Sequence, residues 1–270
     1  MKDILNNKSH FFIDFIVLLI TTISTIKGML EWKALLIIIT YVSLIVFFTF
    51  SKYKNIKPII ATIIIIISLA LISHRLPGFH NIPIYDAIKL ESNSSPFSMW
   101  LSFDKAYIPL LFIYYFNQHN KKLGLQKSLY KTSIIAVCAI LTLLIPAFLV
   151  HYIQFSPKIP AILPMWLAFQ VLVVLCEEGF FRGFLQNYLQ DALKNIKYGA
   201  VIGLLIANIP FAAIHYHGGM IYVFLSFIAG LFYGLAFMLT KRVEASMIVH
   251  FSVNLTHILL FSYPSLAYSM

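Results

Sequence analysis

Long apolar runs without charged side chains recur along the whole chain, and they restrict the fold more than any other feature of the sequence. A helix needs about 20 residues to cross the hydrocarbon core of a bilayer. Of the 270 residues, 60% are hydrophobic and 11% are charged, whereas soluble domains carry about 25% charged residues. The sequence therefore predicts an all-α fold, a polytopic transmembrane helical bundle of eight to nine spans.

Turn residues and charged residues divide the apolar runs into separate predicted spans. Residues 74–98 are polar and rich in turn residues, and we predict a loop there. Asp104 and Lys105 interrupt the fourth span, and if that span is re-entrant the count falls from nine to eight. We divide the chain into N-terminal spans, residues 1–150, and a core, residues 151–270. The predicted spans are 11–26, 34–50, 58–73, 99–116, 132–153, one that begins at 161–164, 199–216, 220–239 and 245–263.

The net charge of +10 is distributed over short loops between the predicted spans, which argues against a nucleic-acid partner. Lysine and arginine are more frequent in the loops that face the cytoplasm if the N-terminus is cytoplasmic, as the positive-inside rule requires. We therefore expect an integral membrane protein, surrounded by membrane lipid, with a cytoplasmic N-terminus. Its richness in Ile, Lys and Asn favours a bacterial inner membrane.

Two adjacent carboxylates and an arginine follow the apolar run of residues 161–175: Glu177, Glu178 and Arg182. A charged side chain within a membrane costs about 2.5–3.5 kcal/mol, so each of these residues needs a reason to be there. Glu178 and Arg182 are four residues apart, and on a helix this spacing predicts an ion pair. The alternative explanation is a charged cluster at the cytoplasmic end of a span.

Further polar residues lie on two later spans: Asn208, Phe211 and His215 on one, and His250, Asn254 and His257 on the other. A spacing of three or four residues places His250, Asn254 and His257 on one helix face, and Asn208 lies two turns before His215 on the same face. Taken singly, each polar residue could be an interhelical hydrogen-bond partner. Together they are expected to converge, because polar groups cost less in hydrocarbon when they face one another.

The chemistry of this set suits hydrolysis of a peptide bond. A carboxylate and a histidine can hold a water molecule and remove its proton. A second histidine and an asparagine amide can donate hydrogen bonds to a developing oxyanion. The candidate catalytic residues are therefore Glu177, His215, His250 and Asn254, within an active site inside the membrane.

Zinc is the alternative to a metal-free mechanism. Two histidines and a glutamate form a known zinc ligand set, and here they would be Glu177, His215 and His250. The chain contains no His-Glu-x-x-His, which is the usual way in which a helix presents that set. We therefore expect no cofactor and no metal ligand.

The order Glu-Glu-x-x-x-Arg, Phe-x-x-x-His and His-x-x-x-Asn on late spans resembles the CPBP family of intramembrane proteases. This family comprises CAAX prenyl proteases and bacteriocin-processing proteins and is also called the Abi family. The resemblance covers residues 160–260 and implies an endopeptidase, of glutamic or metalloprotease type, for a membrane-bound or lipid-anchored peptide or protein. It implies that Glu177 activates water with help from His215, and that His250 and Asn254 form the oxyanion site. By the same resemblance Glu178 and Arg182 are supporting residues and Phe211 shapes the site.

Two other function classes share these residues. A transporter could use a relay of glutamate and histidine inside the membrane. Against this, the chain shows no internal repeat of the kind that many transporters contain. A non-catalytic immunity or scaffold protein is the third class, and intact catalytic residues argue against it.

Overall fold

The computed structural model describes residues 2–116 and 123–267, and this part of the chain is predominantly helical. The first elements are α1 (Lys2–Ile26), α2 (Trp32–Phe50), α3 (Lys57–Ile72), β1 (Ile82–Ile88), β2 (Phe97–Leu101) and α4 (Phe103–Phe116). The next are α5 (Leu125–Leu149), α6 (Leu163–Glu178), a π-helical segment (Gly179–Gln186) and α7 (Asn187–Ala192). The last are α8 (Gly199–Ala213), a 3-10 turn (Tyr216–Gly218), α9 (Gly219–Thr240) and α10 (Val243–Leu260).

Five helical segments in the described ranges are long and apolar enough to cross a membrane: Trp32–Phe50, Leu125–Leu149, Leu163–Ala192, Tyr216–Thr240 and Val243–Leu260. Three further apolar helices are shorter: Asp14–Ile26, Lys57–Ile72 and Gly199–Ala213. These lengths support a helical membrane protein, and the count of eight to nine spans stays a prediction. The predicted break between the spans 199–216 and 220–239 is confirmed, because the 3-10 turn separates α8 from α9.

Two compact units make up the chain, and the first comprises Met1–Ile82 and Ser102–Gln118. Within it α2 packs against α1 and α3. Asp104 lies in the first turn of α4, where its carboxylate contacts Nδ1 of His74 at 2.6 Å. The charge that interrupts the predicted span 99–116 therefore marks a helix start. The helix α4 has 14 residues, and residues 99–101 belong to β2 instead.

The polar segment 74–98 contains β1 and the start of β2, which together form a two-stranded sheet. The prediction of a loop was therefore wrong for these residues. Burial does not alternate along β1, so the period of two that identifies a strand in a sequence is missing there. Pro83 also lies within β1, and a proline inside a run argues against a central strand.

The second unit comprises Pro83–Leu101 and His119–Met270 and holds α5 to α10. In it α10 packs against α5, α9 and α6, and α9 packs in addition against α8 and α5. The helix α5 thus belongs to the bundle that carries the candidate residues, whereas the division predicted from the sequence, at residue 150, groups it with the N-terminal spans.

Three segments far apart in sequence meet where α5 and α10 end and α6 begins. The Ser262 N–H donates to the Gln154 carbonyl at 2.8 Å, and the Gln154 N–H donates to the Ser262 hydroxyl at 2.9 Å. The Ser95 N–H donates to the Ser265 carbonyl at 2.9 Å, and Lys158 forms an ion pair with Glu91. We call residues 91–95, 151–158 and 261–267 the cap.

Candidate active site

All four candidate catalytic residues line one cavity of about 190 Å³ in the second unit. Glu177 comes from the last turn of α6, His215 follows α8, and His250 and Asn254 come from α10. Glu177 is 7% exposed and His250 is 5% exposed, so neither side chain faces lipid. The rest of the wall is mostly apolar and comes from α5, α6, α9, α10 and the cap.

Glu177 lies immediately before the change from α-helix to π-helix. A π-helical turn closes a hydrogen bond over five residues rather than four, and such turns are frequent at functional sites. The Glu177 Oε2 atom is buried and has no hydrogen-bond partner among the described residues. Because an unsatisfied buried carboxylate oxygen is costly, this atom is suited to bind a water molecule or a polar group in the cavity.

Glu178 is turned away from the cavity into a buried ion cluster. Arg182 contacts both carboxylate oxygens, with Nη1–Oε1 at 3.3 Å and Nε–Oε2 at 3.2 Å, so the predicted ion pair is confirmed. The Nδ1 atom of His250 lies 2.8 Å from Glu178 Oε1, a contact that the sequence pattern did not predict. An ionised carboxylate is an acceptor only, which places a proton on Nδ1 of His250.

Arg182 joins the ion cluster to the neighbouring helices. Its Nη2 donates to the Gly230 carbonyl in α9 at 2.9 Å. Its guanidinium carbon lies 4.2 Å from the centroid of the Phe211 ring, which is a cation–π distance. The Phe211 ring also lies 5.0 Å from the His215 ring and 6.3 Å from the His250 ring. Phe211 therefore packs between the two candidate histidines.

His215 is held by the helix that precedes it. Its Nδ1 lies 2.7 Å from the Phe211 carbonyl oxygen, and a carbonyl can only accept. The proton is therefore on Nδ1, and Nε2 carries the lone pair. In this tautomer Nε2 can accept a proton or a hydrogen bond.

The predicted shared face of α10 is confirmed, since His250, Asn254 and His257 all line the cavity. Asn208 does not share the cavity wall with His215, contrary to the expectation that it converges with the other polar residues. Its amide nitrogen instead donates to the Phe227 carbonyl at 2.7 Å and joins α8 to α9.

The sequence pattern missed three residues of α9 that support the site. The Tyr233 ring stacks on the His250 ring, with centroids 4.4 Å apart and planes at 13°. The Gly230 carbonyl accepts a hydrogen bond from Arg182, and the Gly234 carbonyl accepts one from Gln186 at 2.9 Å. Two glycines four residues apart in an apolar helix are typical of close helix packing, and this signal could have identified the contact.

The alternative zinc ligands, Glu177, His215 and His250, share the cavity wall but do not form a ligand set. Within the described ranges, no three His, Cys, Asp or Glu side chains lie close enough together to hold a metal ion. The Nδ1 atom of His250 contacts Glu178, a contact that a metal-binding histidine also makes with its second ring nitrogen.

Comparison with known proteins identifies the region that holds these residues. Residues 159–256 match the family model described as type II CAAX prenyl endopeptidase Rce1-like. This range contains every candidate catalytic and supporting residue. No curated protein and no solved structure resembles the chain significantly. Residues 159–256 of this helical membrane protein are therefore similar to the Rce1-like type II CAAX prenyl endopeptidases.

Proposed function

We propose that the protein is an intramembrane endopeptidase that hydrolyses a peptide bond in a membrane-bound or lipid-anchored peptide with an activated water. One observation carries this proposal. A buried carboxylate, two histidines and an asparagine amide line a single cavity within a region that matches a CAAX endopeptidase family.

Water activation is the task of Glu177 and His215. The unpartnered Oε2 atom of Glu177 is the base, and Nε2 of His215 accepts a hydrogen bond from the same water. As the water oxygen bonds to the carbonyl carbon of the scissile peptide, its proton passes to the Glu177 carboxylate. A positioned base of this kind contributes about 10²–10⁴-fold to a rate.

Stabilisation of the oxyanion is the task of Asn254 and His250. The Asn254 side chain carries two N–H donors. Because Nδ1 of His250 already contacts Glu178, His250 donates to the oxyanion from Nε2 only when both ring nitrogens are protonated.

Breakdown of the tetrahedral intermediate completes the reaction. The carbon–nitrogen bond breaks, and the proton held by Glu177 passes to the departing amine. Glu177 then regains its charge, and the acid and amine products leave. Each atom of the products comes from water or from the peptide.

Glu178, Arg182 and Phe211 act as positioning residues in this proposal. Glu178 holds His250, Arg182 neutralises the charge of Glu178, and Phe211 holds His215 through its carbonyl. These contacts are buried, and because charge interactions are weaker in water than in the protein interior, burial strengthens them.

The substrate class follows from the membrane location and from the name of the matching family. We propose a lipid-anchored peptide whose scissile bond reaches the cavity from the bilayer. We also propose a bacterial inner membrane and a cytoplasmic N-terminus, on the composition and charge of the loops.

Two quenched fluorogenic peptides test the proposal with the full chain in lipid nanodiscs. One carries S-farnesylcysteine followed by three residues, and the other carries an N-palmitoyl anchor on the same sequence. Glu177→Gln is expected to lower kcat about 10²–10⁴-fold because the base is lost. The matched controls are Glu244→Gln and His217→Gln, both exposed, and both are expected to cleave at the rate of the unmodified protein.

Unchanged cleavage by the Glu177→Gln protein would contradict the proposal. Substrate flux across vesicle membranes that depends on Glu177 would instead favour a transporter. Loss of activity on treatment with a zinc chelator, restored by added zinc, would refute the metal-free mechanism.

A further inference from the structure

Two polar side chains of the cavity have no role in the mechanism above. His257 lies on α10 one turn beyond Asn254, and Tyr263 lies in the cap. Their ring centroids are 5.1 Å apart. Both line the same cavity as Glu177 and His250.

His257 presents a hydrogen-bond acceptor. Its Nε2 lies 3.2 Å from the Ser262 carbonyl oxygen, and because a carbonyl only accepts, the proton is on Nε2. The lone pair is then on Nδ1. Within the described ranges, no protein donor contacts Nδ1.

Tyr263 presents a hydrogen-bond donor. The Trp166 indole N–H donates to the Tyr263 hydroxyl oxygen at 3.2 Å, and an indole has no acceptor with which to return that bond. The phenolic proton of Tyr263 therefore points elsewhere, and no acceptor for it lies among the described residues. Burial raises the pKa of the Tyr263 hydroxyl above its ordinary value, although the Trp166 bond opposes the shift, so the proton is retained at neutral pH.

The packing around both groups holds them in place before a ligand arrives. The Tyr263 ring meets the Phe97 ring at 5.3 Å and the Trp166 ring at 6.2 Å, edge-on in both cases. The Ser262 carbonyl that orients His257 belongs to the cap. A ligand that bonds to prearranged groups loses less free energy to ordering.

The position of His257 on α10 sets the distance of the pair from the reacting bond. At about 1.5 Å of rise per residue, His257 lies about 4.5 Å beyond Asn254 and about 10 Å beyond His250 along the helix. An extended peptide advances about 3.3 Å per residue. The pair is therefore reached by a peptide group about one to three residues from the scissile bond.

The surrounding wall explains why a backbone group would need this pair. Leu143, Leu144, Ala147 and Ile153 give the cavity that holds this pair an apolar wall. Apolar side chains of a substrate can be buried against them, but the peptide N–H and carbonyl between those side chains would lose their bonds to water. A buried polar group without a partner is unfavourable.

We propose that His257 and Tyr263 bind the substrate backbone one to three residues from the scissile bond, His257 by accepting a peptide N–H and Tyr263 by donating to a peptide carbonyl. The inference rests on the proposed function, since it takes a peptide as the ligand of the cavity. It assigns the pair a binding role and no part in bond cleavage.

The test measures binding without cleavage, with Glu177→Gln as the parent protein in nanodiscs. The probes are dye-labelled versions of the farnesylated and palmitoylated peptides, and fluorescence anisotropy reports Kd. A series of each peptide carries one backbone ester, which replaces a single N–H by oxygen. At one position within three residues of the scissile bond, the ester is expected to weaken binding about five- to tenfold, the effect of one neutral hydrogen bond.

Substitution of His257 separates binding from a structural role. His257→Gln keeps an N–H donor for the Ser262 carbonyl, but its amide oxygen does not lie where Nδ1 of the ring lies, so the acceptor is displaced. We expect a loss of affinity of the same size as for the ester, and no further loss when the two are combined. Tyr263→Phe should weaken binding by a similar factor and keep the sensitivity to the ester, whereas the exposed Glu244→Gln should bind as the parent does.

Three outcomes would overturn the proposal: neither peptide binds the parent, every ester binds like its amide, or the ester and His257→Gln weaken binding independently. These outcomes are distinct from failure of the proposed function. If the protein binds both peptides, and the ester and His257→Gln give no further loss of affinity when combined, but neither peptide is cleaved, the proposed proteolysis is refuted and the proposed backbone contact is supported.

Discussion

Replacing Gly230 with alanine is expected to destabilise the bundle and disturb the candidate site, although the substitution removes no polar atom. A Cβ at this position would lie 1.8 Å from Oδ1 of Asn208 and 2.7 Å from Cδ1 of Phe211. Ordinary contacts between such atoms are about 3.5–4 Å. The Asn208 amide must therefore move by about 2 Å and the Phe211 ring by about 1 Å.

The cost of these displacements has two parts. Overpacking a well-packed interior costs about 1–3 kcal/mol. Moving Asn208 breaks its bond to the Phe227 carbonyl, and a buried group left unsatisfied costs about 1–3 kcal/mol more. We expect Gly230→Ala to lower the free energy of unfolding by about 2–6 kcal/mol, the sum of the two ranges.

Activity is expected to fall with stability, because the Phe211 carbonyl orients His215. A misplacement of about 1 Å at a catalytic group can cost about 100-fold in rate. Unfolding in mixed micelles of dodecyl maltoside and sodium dodecyl sulfate, followed by tryptophan fluorescence, measures the stability change. Cleavage of the fluorogenic peptides measures the rate.

The control is Gly124→Ala, since a Cβ at Gly124 meets no atom within 4 Å. Adding Asn208→Ala to Gly230→Ala removes the closest clash, so the double variant should be less destabilised than the sum of the single variants. A Gly230→Ala protein as stable as the Gly124→Ala control, or additive effects in the double variant, would show that α8 and α9 do not pack as described.

The remaining predictions concern buried polar contacts. Arg182→Met should destabilise the protein by about 3–5 kcal/mol, because it leaves a buried carboxylate without its partner, and adding Glu178→Gln should recover part of that loss in the same unfolding assay. Tyr233→Phe keeps the ring that stacks on His250 and should cleave normally, whereas Tyr233→Ala should lose about 3–5 kcal/mol of stability and much of its activity. Asp104→Asn should cost about 1–3 kcal/mol by unfolding, since it weakens a charge-assisted bond to the histidine after α3.

The sequence was sufficient to predict the helical bundle and the residues that meet in it. The lengths of the apolar runs reproduce the helices of the second unit closely, since hydrocarbon thickness limits a span to a narrow range of lengths. The convergence of Glu177, His215 and His250 followed from the cost of polar groups in a membrane. The segment before α4 is polar, so neither the thickness of the hydrocarbon nor the cost of burying polar groups constrains it. The sequence therefore did not predict β1.

The contacts within the site were less predictable. A spacing of four residues predicts the pair of Glu178 and Arg182, but the contact of Glu178 with His250 joins residues 72 positions apart. The π-helical segment after Glu178 was not predicted either, because its sequence has no periodicity that distinguishes it from an α-helix. For Asn208 the sequence predicted a place at the site that the structure does not show, because helical spacing alone does not say which neighbouring helix a face meets.

The contacts of α9 with the π-helical segment restrict how the bundle can open. Arg182 and Gln186 are four residues apart, and so are the two glycine carbonyls that they contact. A piston-like slide of α9 by a single residue would break both bonds at once, one of them to a charged donor, at a combined cost of about 2–4 kcal/mol. Entry of a bulky peptide from the bilayer is therefore expected to displace a different wall of the cavity. The part of the wall that α5 contributes is wholly apolar, so among the described residues an outward movement of α5 would break no side-chain hydrogen bond at the cavity.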